Sequence, residues 1–274
     1  MPVITTNTAA NSALRYLNMN AAEQTTALNR IASGSKVNKA SDDAAGLAVA
    51  TKLQTDVAVF NQAQTNASHA VSVLQTADGG MAQISDILQR MKTLTAQSMS
   101  GAVTDAERAY IDAEFQELES EIDSIAQGTR FNGESLLDGT GAHAAGIDYL
   151  VGTDATNDII TVTLADLSVA TLALTTGVDT AANAATAAGE IDTAIDTVAA
   201  ARADVGAQMS RFEYHAQQLS SAEENLDAAQ SAIVDADIAE EQANLSSAQV
   251  KTEAAIAALA QANQIPQSLL SLLR

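Results

Sequence analysis

The sequence predicts a mainly α-helical protein of long antiparallel helices, on three observations. Alanine supplies 58 of the 274 residues while aromatic residues make up only 3%, a composition that suits close helix packing better than a thick core. Proline occurs only at Pro2 and Pro266, so almost the whole chain is free to be helical. Apolar residues recur at alternating spacings of three and four. We therefore expect terminal coiled-coil arms, a central helical bundle and a small β-hairpin region.

Each end of the chain carries one amphipathic stripe. The N-terminal stripe consists of Leu14, Leu17, Ala21, Gln24, Leu28 and Ile31. The C-terminal stripe consists of Leu245, Ala248, Thr252, Ala255, Leu259, Ala262, Pro266, Leu269 and Leu273. Neither stripe has a partner in its own half of the chain, so we expect residues 1–42 and 236–274 to form paired helical arms. The Ser33-Gly34 pair predicts the end of the first helix.

The next helix is expected to start at Ser41, with Asp42 and Asp43 at the positive end of its dipole. Its apolar residues repeat every seven positions, at Leu53, Phe60, Ala67, Leu74, Met81 and Leu88. The Gly79-Gly80 pair inside this repeat predicts a weak spot or kink.

A shorter helix should follow, opened by a capping box at Thr104 and Glu107 and closed at Gly128. A strict heptad repeat returns from about residue 188, at Val198, Val205, Phe212, Leu219, Leu226 and Ile233. The C-terminal stripe is out of phase with it, which predicts a boundary near 235–242. The central bundle is accordingly assigned to residues 43–140 and 188–235.

Residues 141–187 are expected to form a short β or variable region. Residues 131–146 look like a loop, and residues 160–164 alternate apolar and polar side chains as a half-buried strand does. Residues 148–152 could pair with that strand, whereas 165–190 allow no firm assignment.

Composition also excludes several functions. The net charge of −21 argues against a nucleic-acid partner, because phosphate binding needs a basic face. The sequence contains no run of about 18 consecutive apolar residues, so we expect no membrane span. The first residues do not resemble a cleavable secretory signal. The three histidines, His69, His143 and His215, form no metal-binding motif. We therefore expect no metal, no cofactor and no enzymatic activity. A third functional class, a hydrolase or a ligand-binding helical bundle, has no motif in the sequence to support it.

Six stretches carry a resemblance to one known family, in the family's order. They are 4–18 (ITTNTAANSALRYLN), 28–50 (LNRIASGSKVNKASDDAAGLAVA), 88–98 (LQRMKTLTAQS), 121–139 (EIDSIAQGTRFNGESLLDG), 204–219 (DVGAQMSRFEYHAQQL) and 258–274 (ALAQANQIPQSLLSLLR). The first two resemble the N-terminal signature of bacterial flagellin, the next two its central helical domain, and the last two its C-terminal signature. Only about 50 residues fill the variable middle, so the resemblance implies a minimal flagellin.

The resemblance implies a structural subunit that self-polymerises into the extracellular filament of the bacterial flagellum and serves motility. Its implied partners are other copies of itself, the flagellar export machinery with its chaperone, and the hook-associated and cap proteins. The alternative is a hook–filament junction protein of the same superfamily. Self-polymerisation of the purified chain would distinguish a filament subunit from such a junction protein.

Two sets of candidate site residues follow. The polymerisation set is taken from the arm stripes and comprises Leu14, Leu17, Leu28, Ile31, Leu245, Leu259, Leu269 and Leu273. The resemblance also implies a surface contacted by the vertebrate Toll-like receptor for flagellin, at Arg90, Leu94 and Glu114. Heptad counting from Leu88 places Arg90 and Leu94 off the internal seam, so both are expected on an outer face.

Overall fold

The structure is a computed structural model that describes residues 6–272, and the side chains of residues 6–264. Its helices are α1 (Thr8–Ser33), α2 (Ala44–Met99), α3 (Asp105–Gly128), α4 (Ala142–Ala145), α5 (Ala181–Val234) and α6 (Ile238–Leu272). Its strands are β1 (Arg130–Phe131), β2 (Glu134–Ser135), β3 (Ile147–Leu150) and β4 (Ile159–Val162). The mainly α-helical prediction is confirmed.

The chain forms two compact units. The arm unit comprises the residues up to Thr55 together with those from Asn225 onward, and the central unit runs from Asp56 to Glu224. Helices α1 and α6 pack against each other in the arm unit. The division falls inside α2 and inside α5.

Both ends of α1 are capped by local sequence. The side chain of Asn7 accepts a hydrogen bond from the Ala10 N–H at 3.0 Å, which satisfies one of the free amides of the first turn. Gly34 has φ +72° and its N–H donates to the Arg30 carbonyl, so it ends the helix in the left-handed conformation that glycine adopts without strain. The predicted end of this helix is confirmed.

The start of α2 differs from the prediction. Asp43, and not Ser41, caps the helix, because its carboxylate accepts the N–H of Gly46 at 2.9 Å. Asp42 closes the preceding turn by accepting the N–H groups of Asn38 and Lys39. Three adjacent residues were able to cap, and the conformation of the preceding turn selects among them.

The core of the central unit lies among α2, α3, α5 and the irregular chain between β4 and α5. Its largest fully buried side chains are Leu74, Met81, Ile84, Leu88, Met91, Leu94, Phe115, Ile122, Leu137, Ile160, Leu167 and Phe212. The predicted weak spot at Gly79-Gly80 lies within continuous helix. A Cβ on Gly80 would clash with the Thr129 hydroxyl and lie 2.9 Å from a Leu137 methyl, so this glycine permits close approach of the chain after α3.

The predicted β-hairpin is confirmed. Strands β3 and β4 are antiparallel, with Ile147 opposite Val162 and Leu150 opposite Ile159. A second, two-residue hairpin pairs β1 with β2 inside the stretch expected to be a loop. Asn132 and Gly133 form its turn at φ +51° and +86°; an Asn-Gly pair is a recognised signal for such a turn.

Helices α5 and α6 are separated by residues 235–237, at the start of the boundary predicted near 235–242. It lies in the arm unit beside the chain that leaves α1. The Lys36 N–H donates to the Val234 carbonyl at 2.7 Å and the Ala236 N–H donates to the Gly34 carbonyl at 2.9 Å. These bonds satisfy backbone groups that the interruption of helix would leave free.

Candidate assembly surfaces and a candidate receptor contact

The part of the C-terminal stripe whose side chains are described, from Leu245 to Ala262, forms the face of α6 that packs on α1. Leu245, Ala248, Ala255 and Ala262 are all buried, at the spacings of three and seven that keep residues on one side of a helix. On α1 the buried residue is Ala27. Alanine dominates this contact, so the two backbones approach closely and little apolar area is buried per residue.

Three polar contacts fix the register of α1 against α6. The Asn7 amide donates to the Ala262 carbonyl at 2.8 Å, and Lys251 lies 3.7 Å from the Glu23 carboxylate. As numbers rise along α1, those of the partners fall along α6, so the helices are antiparallel.

The third contact is the best shielded. The Arg30 guanidinium donates to the Glu241 carboxylate at 2.9 Å, with 32% and 11% of their side chains exposed. The Glu23 and Lys251 side chains are 55% and 56% exposed. We therefore expect the Arg30–Glu241 pair to be the stronger register contact.

The structure divides the predicted polymerisation residues into two groups. Leu17, Ile31 and Leu259 are half-buried and Leu245 is buried, so these belong to the α1–α6 contact. Leu14 and Leu28 are 47% and 48% exposed. Leu269 and Leu273 lie outside the residues whose side chains are described. Assembly roles for the whole set remain predictions.

Exposed apolar side chains concentrate in the arm unit. Of the eleven large apolar residues that are exposed in the described part of the chain, eight lie there: Leu14, Tyr16, Met19, Leu28, Val49, Ile238, Val250 and Ile256. An open groove of about 640 Å³ runs along the pair, and its lining includes Met19 and Ala22 beside both ion pairs. The high share of exposed apolar residues in one unit favours an interaction surface there.

The candidate receptor surface is present only in part. Arg90 on α2 donates from Nη2 to the Glu114 carboxylate on α3 at 2.6 Å, and both side chains are about half exposed. Leu94, by contrast, is only 2% exposed, so its expected position on an outer face is wrong. Helix α2 packs on α3 on one side, and the Ser98 hydroxyl donates to the Val178 carbonyl on another. Because α2 has neighbours on two sides, the buried part of its surface is wider than the narrow seam that heptad counting assumes, and it includes Leu94.

A buried arginine that the sequence did not single out joins α2 to α3. Arg108 donates to the carbonyls of Ser98 at 2.8 Å and Ser100 at 3.0 Å, and to the Asp105 carboxylate at 2.8 Å. A guanidinium has the donors to satisfy several carbonyls at a helix C-terminus at once. The predicted capping box lies beside it, where the Thr104 N–H donates to Glu107 at 2.8 Å.

Histidine and carboxylate side chains form no metal site in the described part of the chain. No group of three or more His, Asp or Glu side chains there could hold a metal ion. His143 is buried with both ring nitrogens unpartnered, and burial lowers its pKa. Among the described helices, none combines the length and apolarity needed to cross a bilayer.

Comparison with known proteins identifies the family. The family model described as the bacterial flagellin N-terminal helical region matches residues 4–142, and that of the C-terminal helical region matches residues 188–273. A flagellin of Halalkalibacterium halodurans is 35% identical over 274 residues, covering 99% of this chain and 100% of that protein. Flagellin FlaB1 of Treponema pallidum is 35% identical over 285 residues, covering 99% and 100%.

Solved structures agree with this assignment. The crystal structure of Bacillus cereus flagellin is 32% identical, with a TM-score of 0.52 over 57% of this chain and 88% of that one. A putative flagellar hook-associated protein from Vibrio parahaemolyticus shares the fold at 15% identity, with a TM-score of 0.59 over 70% and 99%. Most of the chain matches flagellin sequences, and its fold matches a flagellin structure. The chain belongs to the bacterial flagellin family.

Proposed function

We propose that this chain is a structural subunit that self-polymerises into the filament of the bacterial flagellum and serves motility. The observation that carries the proposal is the apolar surface of the arm unit, where eight large apolar side chains are exposed. Exposed apolar area is removed from water when copies associate, at about 25 cal/mol per Å². The role is structural and involves no catalysis.

Assembly would use the arms, residues 1–42 and 236–274, as an inner tube. Leu14 and Leu28 lie two heptads apart on α1, and both are exposed although α6 is already paired with that helix. They are suited to contact a second copy. A contact between two different surfaces of identical chains propagates as a helical fibre when its rotation does not close into a ring, and assembly of the filament would use contacts of this kind.

Export and capping complete the proposal. The subunit would leave the cell through the flagellar export machinery with its chaperone and reach the extracellular filament. There it would meet hook-associated and cap proteins. The vertebrate Toll-like receptor would contact the Arg90–Glu114 surface, where both side chains are accessible, while buried Leu94 would support that surface from within.

Electron microscopy of the purified chain, after concentration and salt are raised, tests the proposal. We expect filaments from the unmodified chain. Leu14→Ser combined with Leu28→Ser should raise the critical concentration at least tenfold, because two apolar contacts of about 1–2 kcal/mol each are lost. Tyr214→Ser, which alters an exposed aromatic residue of the central unit, is the matched control. Equal assembly by all three chains would contradict the assignment of Leu14 and Leu28.

The alternative function is a hook–filament junction protein. It is favoured only by the structural similarity to the Vibrio parahaemolyticus protein, which at 15% identity reflects the fold. Such a protein would adapt one structure to another and would not extend by itself. A purified chain that stays monomeric at high concentration and salt, yet adds to the ends of preformed filaments, would support this alternative.

A further inference from the structure

Carboxylates fasten an irregular segment to the helices of the central unit. Between β4 and α5 the chain has no regular secondary structure. The Asp123 carboxylate on α3 accepts the backbone N–H of Val169 at 2.8 Å, and the Asp112 carboxylate accepts that of Val178 at 2.6 Å. Two acidic side chains of one helix therefore hold the two ends of the segment 169–178.

A third carboxylate holds the middle of this segment from α5. Glu190 accepts the backbone N–H groups of Thr175 at 3.0 Å and Thr176 at 3.1 Å. It also accepts both threonine hydroxyls, at 3.2 and 2.8 Å. Hydrogen bonds to a carboxylate are stronger than those between neutral groups, so this side chain is a firm attachment point.

A fourth carboxyl group lies among these three without such a bond. Glu119 follows Asp112 by seven positions and precedes Asp123 by four, which places all three on one face of α3. Its side chain is half-buried, and among the described residues no group donates a hydrogen bond to it. Burial raises the pKa of Glu119 to about 7, and the negative charges of Asp112, Glu190 and Asp123 act in the same direction.

No positive charge offsets this cluster from the segment that its carboxylates hold. The charged groups acting on Glu119 are Asp112 and Asp123 from its own helix and Glu190 from α5. Residues 167–178 contain no charged side chain. Deprotonation of Glu119 therefore adds a fourth negative charge at the place where three carboxylates already hold the segment.

We propose that Asp112, Glu119, Asp123 and Glu190 form a proton-dependent clasp, which holds the segment 169–178 firmly on α3 and α5 when Glu119 is protonated and loosens when it is not. The clasp is independent of the proposed assembly function. All four carboxyl groups lie in parts of the chain matched by the flagellin family models, and the segment lies between those parts. The device therefore couples helices matched by the family models to the segment that lies between the two matched regions.

The direction of the pH effect follows from linkage. The pKa of Glu119 is above its ordinary value of 4.5 in the closed state. Between pH 4.5 and about pH 7, the closed state therefore binds more protons than the open state. Closing becomes less favourable as pH rises through this range. If opening restores the ordinary pKa, the opening equilibrium increases by up to about 30-fold between pH 5.5 and 8.5.

Amide hydrogen exchange of the full-length monomer tests the clasp. Protection of the Val169, Thr175, Thr176 and Val178 amides is measured from pH 5.5 to 8.5, after division by the intrinsic exchange rate at each pH. We expect protection to fall by roughly 5- to 30-fold as pH rises in the unmodified chain. Amides in the middle of α2 should change far less.

Two variants separate the clasp from general effects of pH. Glu119→Gln keeps the shape of the protonated side chain and should remove most of the pH dependence. Glu117→Gln is the control, because Glu117 is an exposed acidic residue two positions away on α3; it should retain the profile of the unmodified chain. A flat profile in the unmodified chain, or the same steep profile in Glu119→Gln, would overturn the proposal.

Discussion

Arg108 closes the turn between α2 and α3. Its guanidinium is nearly buried, and it satisfies two carbonyls at the end of α2. We expect Arg108→Ala to lower the free energy of unfolding by about 2–4 kcal/mol, because the change leaves buried acceptors unpaired. Chemical unfolding of the monomer, followed by circular dichroism, measures this.

Arg130 supplies the control for that measurement. It is an exposed arginine whose side chain donates only to the carbonyl of Gln127, three residues earlier. Arg130→Ala should change the free energy of unfolding by less than about 0.5 kcal/mol. A similar loss in both variants would mean that the buried contacts of Arg108 contribute nothing specific.

His143 should make the central unit sensitive to acid. Burial lowers the pKa of this imidazole below its ordinary 6.5, so the unfolded chain takes up the proton first as pH falls. The contribution of neutral His143 to stability is therefore fully present above pH 6.5. It is lost as pH falls from there through the lower pKa of the folded state. We expect His143→Leu to lose less stability than the unmodified chain between pH 7 and 5.

The comparison is made by thermal unfolding at each pH. His69→Leu serves as the control, because His69 is exposed on α2. It should show the same loss of stability in acid as the unmodified chain. If His143→Leu behaves like this control, the buried imidazole does not govern the acid response.

At the residue scale, the sequence predicts local hydrogen bonds better than it predicts which side chains are buried. The capping box at Thr104 and the helix end at Gly34 depend on neighbours within a few positions, so the pattern was enough to place them. The burial of Leu94 depends on how many elements pack around α2, which heptad counting along one helix does not contain. The contacts of Arg108 likewise require the geometry of a turn.

At the scale of elements, the pairing of α1 with α6 depends on ion pairs of unequal shielding. We expect the coupling energy between Arg30 and Glu241 to be about 1 kcal/mol, since the carboxylate is largely shielded from water. If arm pairing limits assembly, breaking this pair should raise the critical concentration roughly fivefold. A double-mutant cycle with Arg30→Ala and Glu241→Ala measures it.

The exposed pair provides the matched cycle. Glu23 and Lys251 are 3.7 Å apart and more than half exposed, so Glu23→Ala and Lys251→Ala should show almost no coupling. The exchange Arg30→Glu with Glu241→Arg should restore much of the assembly that either single reversal removes. Equal coupling in both cycles would rule out shielding as the source of the difference.

The element boundaries show the same limit of prediction. The break between α5 and α6 was visible as a slip in heptad phase, and the β3–β4 hairpin as an alternation of period two. Residues 165–190 allow no firm assignment from the sequence, because the irregular part of this stretch is held by carboxylates distant in sequence, such as Asp112 on α3. Contacts of that kind are a property of the folded chain.

For the whole molecule, charge is distributed very unequally between the two units. The central unit, Asp56–Glu224, carries 25 acidic and 6 basic residues, a net charge of −19, whereas the remaining residues carry 9 acidic and 7 basic, a net charge of −2. The surface proposed for assembly is therefore nearly neutral and apolar. Repulsion between copies arises mainly from the central unit.

Filament growth should accelerate with salt because screening weakens this repulsion. The Debye length falls from about 30 Å at 0.01 M to about 10 Å at 0.1 M ionic strength, which removes most of the interaction between charges on neighbouring copies. We expect the elongation rate from preformed seeds to rise at least several-fold over this range. Glu117→Gln combined with Glu121→Gln, two exposed positions on α3, should grow faster than the unmodified chain at 0.01 M and equally fast at 0.3 M. Light scattering at fixed protein concentration follows both chains, and growth fastest at the lowest salt would contradict the assignment of repulsion to the central unit.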